Sequence, residues 1–85
     1  MPKRGARAAT PKGGSGLRRV TMRLASRLRR LRARHGWSRR AAAAHIGVGV
    51  PVVRRLENGQ ANPSLAVLVS VARAFGVPLS DLLQG

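Results

Sequence analysis

Cysteine is absent from this chain and acidic residues nearly so: its 85 residues hold two carboxylates, Glu57 and Asp81, against 17 Lys+Arg, for a formal charge of +15. Without a thiol there is no disulfide framework, no thiolate nucleophile and no cysteine-ligated zinc, which excludes zinc fingers. The carboxylates lie far apart, and His35 and His45 are the only imidazoles. Acid–base or triad chemistry would have to use nearly every candidate in the chain. Two histidines on different expected helices make no metal motif. The chain therefore reads as a non-enzyme with no cofactor and no metal. Long hydrophobic runs are missing too. The longest mostly apolar stretch, residues 41–53, contains His45 and Pro51 and falls short of the ~20 residues that span a bilayer. The amino terminus has charge but no apolar segment of the kind a secretory signal needs. Its acid-free start also fits a mitochondrial transit peptide, a reading set aside because the basic stretch runs on into a helical pattern. A cytoplasmic protein away from membranes is expected. A chain this short forms at most one domain, with a core too small for an elaborate active site.

What is present is positive charge, unevenly placed. Residues 1–55 hold 16 of the 17 basic residues and no acid, whereas residues 56–85 sum to −1. One half seeks polyanions and the other does not. All but Lys3 and Lys12 are arginine, whose planar donors suit phosphate and guanine edges; a GC-rich genome would produce the same bias. Residues 1–19 combine proline, glycine and serine with six cations, Lys3, Arg4, Arg7, Lys12, Arg18 and Arg19. Such a stretch buries too little to offset ordering and is expected to be a disordered basic arm, either a solvated tail or one that follows a phosphate backbone or enters a minor groove. The domain proper is then residues 20–85.

From Val20 the pattern turns helical. Val20, Leu24, Leu28 and Leu31 share a face, with Arg23, Arg27, Arg30 and Arg34 on others. Thr21 as N-cap and Gly36 beyond the end bound a first helix over 22–35. Ser38 caps a second, 39–46, which Gly47 closes; Gly49 precedes a third, 50–58, with Pro51 harmless in its first turn. After the loop 60–63, Ser64 caps a fourth that runs to Phe75, with Leu65, Leu68, Val69, Ala72 and Phe75 inward. Ser80 caps a last short helix through Leu83, with Asp81 at its positive end. No stretch alternates at strand length, so an all-α domain is expected. Helices two and three, joined by Gly47-Val48-Gly49, have the pattern of a helix-turn-helix whose second helix enters the major groove.

Leu28-x-x-Leu31-Arg32-x-x-x-Gly36-x-Ser38, Ala43, Ile46-Gly47-Val48, Leu56-Glu57-Asn58-Gly59, Asn62-Pro63-Ser64-Leu65 and Ala72-x-x-Phe75-Gly76-Val77-Pro78-Leu79 occur in order. Together they resemble the Xre/Cro-like (lambda-repressor-like) helix-turn-helix family of bacterial and phage regulators, over about residues 22–83. The resemblance implies a compact five-helix DNA-binding domain that usually acts as a dimer on a two-fold operator. It implies that Ser38 and Arg39 grip a phosphate at the start of the second helix, with Arg39 in place of the usual glutamine. The third helix becomes the recognition helix, with Val50, Pro51, Arg54 and Arg55 outward, followed by Asn58, Gln60 and Asn62 in the DNA-binding set. Arg55 is the leading candidate for guanine, Arg54 for phosphate, and Val50 and Pro51 for a thymine methyl. Where Val50 and Pro51 stand, members often carry polar residues, so specificity here is narrow or leans on DNA shape. Arg32 and Glu57 match a pair that ties the first helix to the third, and Trp37 matches a large core residue. His35 and His45 are read as surface or capping residues.

The fourth helix carries a single charge, so Ala66, Val67, Ser70 and Ala74, with Leu79, Leu82 and Leu83, are a candidate self-association surface. The reading is a sequence-specific transcriptional regulator, a repressor without an effector domain, whose partners are double-stranded DNA and a second copy of itself. Two rivals stand beside it. One is the antitoxin of a toxin–antitoxin pair, with a toxin protein as partner. The other is a sequence-indifferent nucleoid-associated protein. The chain could also be a fragment, since some family members continue into a further domain.

Overall fold

The computed structural model describes the backbone of residues 3–60 and 62–84, and side chains over 16–60 and 62–84. Five helices follow one another: α1 (Lys3–His35), α2 (Arg39–Ile46), α3 (Val50–Glu57), α4 (Leu65–Phe75) and α5 (Leu79–Leu83). No strand occurs among the described residues. The long α1 packs on α3 and α5, α2 packs on α3 and α4, and α4 on α5. Leu24, Leu28 and Leu31 of α1 meet Ala42, Ala43 and Ile46 of α2, Val53 and Leu56 of α3, Val71, Ala72 and Phe75 of α4, and Leu82 of α5 in one buried cluster. None of these short helices could bury its apolar stripe alone, so each depends on that shared core.

Local chemistry sets most of the boundaries. The Ser38 hydroxyl accepts from the Ala41 amide at 3.0 Å, and the Ser64 hydroxyl from the Val67 amide at 3.2 Å, each satisfying an amide that lacks a carbonyl one turn back. At the end of α2, Gly47 turns left-handed at φ 90°, and the amides of Gly47 and Val48 both donate to the Ala43 carbonyl, at 2.8 and 3.0 Å. This tight closure leaves three residues between α2 and α3.

Several expectations need correction. Thr21 does not cap a helix. It lies inside α1, buried, and its hydroxyl donates to the Arg18 carbonyl at 3.0 Å, the back-bond available to a threonine within a helix. Residues 3–19, assigned to a disordered basic arm, are helical in their backbone as the first part of α1; Leu17-Arg18-Arg19-Val20 are acceptable helix formers with no proline among them. Of the rest of that arm, Met1 and Pro2 lie outside the described residues, as do the side chains of Lys3, Arg4, Arg7 and Lys12. Val20 is exposed, and the inward face begins at Leu24.

In α4, Ala72 and Phe75 are buried and Leu68 is half-buried against the core, as expected, but Leu65 is 65% exposed, Val69 is also at the surface, and Val71 is buried in addition. The helix is apolar on several faces, and contact with α2 and α5 decides which residues are covered. Ser80 does not cap α5. Pro78 holds the N-cap position without a side-chain bond, and Asp81 pairs with Arg27 of α1. Leu82, counted above toward a self-association surface, is wholly buried. Trp37 is half-buried and stacks on His45, with ring centroids 4.0 Å apart and planes 3° from parallel, while His35 and Phe75 lie 4.6 and 5.0 Å from it. Both histidines are exposed, as expected, and His35 Nδ1 lies 3.0 Å from the Leu31 carbonyl in the last turn of α1, so the two rings cover Trp37 from the surface.

Gly59, just past α3, sits at φ 69°, and a β-carbon there would collide with the thioether of Met22. Gly59→Ala is expected to cost about 1–2 kcal/mol for the left-handed backbone alone, plus a steric part. Urea melts should show that Met22→Ala recovers the steric part and leaves the backbone part.

Candidate nucleic-acid interface

α3 is short and strongly two-faced. Val53, Leu56 and Glu57 are buried, whereas Pro51, Arg54 and Arg55 are exposed. Val50, expected outward, is half-buried and packs against the core cluster, so it offers a groove less of itself than Pro51 does. The apolar side of α3 is thereby fixed by packing, and its two arginines are left to solvent.

The acid at the end of α3 binds the first three helices together. Glu57 is fully buried. Arg32 reaches it with two donors, Nε at 2.5 Å from Oε2 and the NH2 group at 3.1 Å from Oε1, the bidentate fit of guanidinium to carboxylate. Arg32 also donates to the Trp37 carbonyl at 3.0 Å, which fixes the turn between α1 and α2. Arg39, at the first position of α2, donates its Nε to Glu57 Oε1 at 3.0 Å. The Glu57 backbone carbonyl accepts from Arg29. Burial pushes the Glu57 carboxyl up, but the hydrogen bonds and charges of Arg32 and Arg39 outweigh it and hold the group below the usual carboxylate range.

Two guanidinium groups share this one carboxylate, so the cluster keeps a positive charge. Arg39 carries it outward: its side chain is 43% exposed, and among the described residues its terminal amino groups have no hydrogen-bond partner. Beside it the first amides of α2 lack intrahelical acceptors, with Ser38 occupying only that of Ala41. The start of α2 is thus arranged to meet an anion. Neither the Arg39–Glu57 contact nor that of Arg29 was legible in the family pattern. The available signal was that Glu57 is the sole acid in residues 1–80, so several cations must compete for it.

Asn58, Gln60 and Asn62, all exposed, lie in the turn after α3, where the Gln60 amide closes on the Arg55 carbonyl at 3.0 Å. With Leu17, Arg18, Thr21 and Met22 of α1 they line a groove of about 550 Å³. The structure therefore brings Arg18 beside the expected DNA-binding loop. Arg19, one position on, points to another face of α1. Among the described residues no group of three or more potential metal ligands comes together, and no helix is long and apolar enough to cross a membrane.

A helix-turn-helix family model matches residues 28–82. The chain is 41% identical to an HTH-type transcriptional regulator of Deinococcus deserti over 64 residues, 75% of this chain and 50% of that protein, so it spans half the length of that relative. Among solved structures, it resembles a hypothetical transcription factor from Neisseria with a TM-score of 0.74 and 29% identity, over 76% of this chain and 75% of that one. A restriction-modification controller protein from Aeromonas hydrophila superposes with a TM-score of 0.70 at 31% identity, over 73% of this chain and 94% of that one.

Removing the shared carboxylate tests the cluster. Glu57→Gln leaves two arginines facing a neutral amide and is expected to cost about 3–5 kcal/mol. Because the folded-state value is lowered, the stability Glu57 contributes is fully present above the unfolded carboxylate's ~4.3 and is lost as pH falls through the folded value. Melts across that range should show this acid-induced loss in the wild type and a shallower dependence in Glu57→Gln.

Proposed function

This chain belongs to the Xre/Cro-like helix-turn-helix family, and from that premise we propose that it is a sequence-specific transcriptional regulator that reads duplex DNA through the major groove with α3 and represses from a two-fold operator. The observation that supports this most directly is the division of α3 into a packed apolar side and an outward pair, Arg54 and Arg55, beside an outward Arg39. Arg55 is assigned to a guanine edge, where its two donors fit O6 and N7 together. Arg54, Arg39 and the amides at the start of α2, capped by Ser38, are assigned to backbone phosphates, with Asn58, Gln60 and Asn62 continuing that row and Arg18 reinforcing it. Pro51, having no donor, contributes only apolar contact, so part of the selectivity is carried by DNA shape. The basic arm, with Lys3, Arg4, Arg7, Lys12 and Arg19, adds sequence-indifferent affinity.

A pair of these domains is proposed to bind together. Leu65, Val69 and Leu83 are exposed apolar residues near the partly covered α4 face. Covering them with a second copy would set two recognition helices about 34 Å apart, one turn of duplex.

Selection of bound sequences from a random duplex pool tests both points. A two-fold motif is expected, and Arg55→Ala should relax preference at one base pair by ~1–3 kcal/mol while Arg39→Ala weakens all sequences alike and lowers the salt slope by about one phosphate. Absence of any enriched motif, with Arg55→Ala weakening every sequence equally, would replace the regulator by a sequence-indifferent nucleoid protein.

A further inference from the structure

Arg19, Arg23, Arg27, Arg30 and Arg34 follow one another in α1 at spacings of four, four, three and four residues. At 3.6 residues per turn they fall within roughly 80° of one another and form one stripe about 22 Å long. The side of α1 that meets α3 is elsewhere: Met22 lies over Gly59, and Arg29 and Arg32 reach Glu57. Those three positions centre roughly 140° around the helix from the stripe. The stripe borders α5 instead. Arg27 pairs there with Asp81, and Arg23, Ser26, Arg27, Arg30 and Gln84 line a groove of about 320 Å³.

The charge of this face is largely uncompensated. Five guanidinium groups meet one carboxylate, Asp81, leaving +4, and Arg27 retains a buried Nε with no hydrogen-bond partner. Like charges at i, i+4 oppose helix formation, so a polyanion laid along the stripe relieves a repulsion built into α1. The groove is lined by arginine, serine and glutamine with no aliphatic or aromatic side chain, the residue types that anchor the centre of a protein interface. A row of arginines with no such centre suits the phosphates of a nucleic-acid strand.

We propose that this arginine stripe is a second duplex-binding face, which holds the phosphate backbone of a DNA segment other than the one at α3, so that the protein bridges two duplexes. For one duplex to touch both faces it would have to bend sharply, at an elastic cost that grows with the angle, whereas a second duplex meets the stripe without bending. The bridging rests on the role proposed for α3; the contact made by the stripe does not.

The test uses the full chain with duplexes of about 30 base pairs carrying donor or acceptor dyes, at about 50 and about 200 mM salt, so that energy transfer reports bridging and anisotropy reports binding to one duplex. The triple variant Arg23→Gln/Arg30→Gln/Arg34→Gln spares the Arg27–Asp81 pair, and its melting temperature should be unchanged or higher. It is expected to lose bridging by about tenfold or more while binding one duplex within about threefold of wild type. Bridging that persists in the variant overturns the proposal, as it would for a dimer holding two duplexes through its two α3 helices. An equal fall in both signals also overturns it, since bulk charge would explain that, and so does a wild type that never bridges. The reading of α3 fails separately if Arg54→Gln/Arg55→Gln binds one duplex as the wild type does.

Discussion

One carboxylate takes up two guanidinium groups where α1, α2 and α3 meet. Glu57 closes α3, Arg32 belongs to α1 and Arg39 opens α2, and the three are held within hydrogen-bond distance in a site closed to water on the acid's side. A buried ion pair is a weak source of net stability compared with well-packed apolar groups, because both charges lose their hydration. What it does supply is geometry, since a bidentate arginine tolerates little rotation about its partner. The crossing of α2 and α3 is therefore set at both ends: by the three-residue glycine turn on one side and by the Arg39–Glu57 bond on the other.

That constraint also governs what the surface charge can do. Arg32 is committed to the interior through Glu57 and the Trp37 carbonyl, and Arg29 is tethered to the backbone at the end of α3. Arg39 is divided, with one donor bound inside and the others facing out. Arg54 and Arg55 are free because the opposite side of their helix is filled by Val53 and Leu56. A net charge of +15 thus separates into arginines that hold the fold, arginines that face outward from α2 and α3, and a stripe along α1 that neither group includes.

Much of this was legible in the chain because it rests on local chemistry. Ser38 and Ser64 cap the helices they were read to cap, Gly47 and Gly76 end helices in the left-handed conformation, and Pro51, Arg54 and Arg55 face outward as the family resemblance implied, while Val50 does not. The misses share a cause, which is that neighbours distant in sequence decided them. Thr21 has the side chain of a cap, yet residues before it extend α1. α4 is apolar on several faces, so spacing finds Leu68, Ala72 and Phe75 but only packing excludes Leu65 and Val69 and adds Val71. Leu82 resembles its neighbours Leu79 and Leu83 in sequence, but it alone is wholly buried. Arg39 was read for what it could offer outward, and its inward bond depends on Glu57 arriving from another helix.

The stack of Trp37 on His45 has a further consequence. Trp37 is the chain's single tryptophan, and its ring touches His35 at the end of α1, His45 in α2 and Phe75 at the end of α4. Its emission is therefore an intrinsic optical probe of whether those three helices are docked. Loosening of the α2–α4 side can thus be followed without attaching a dye to any outward residue of α3.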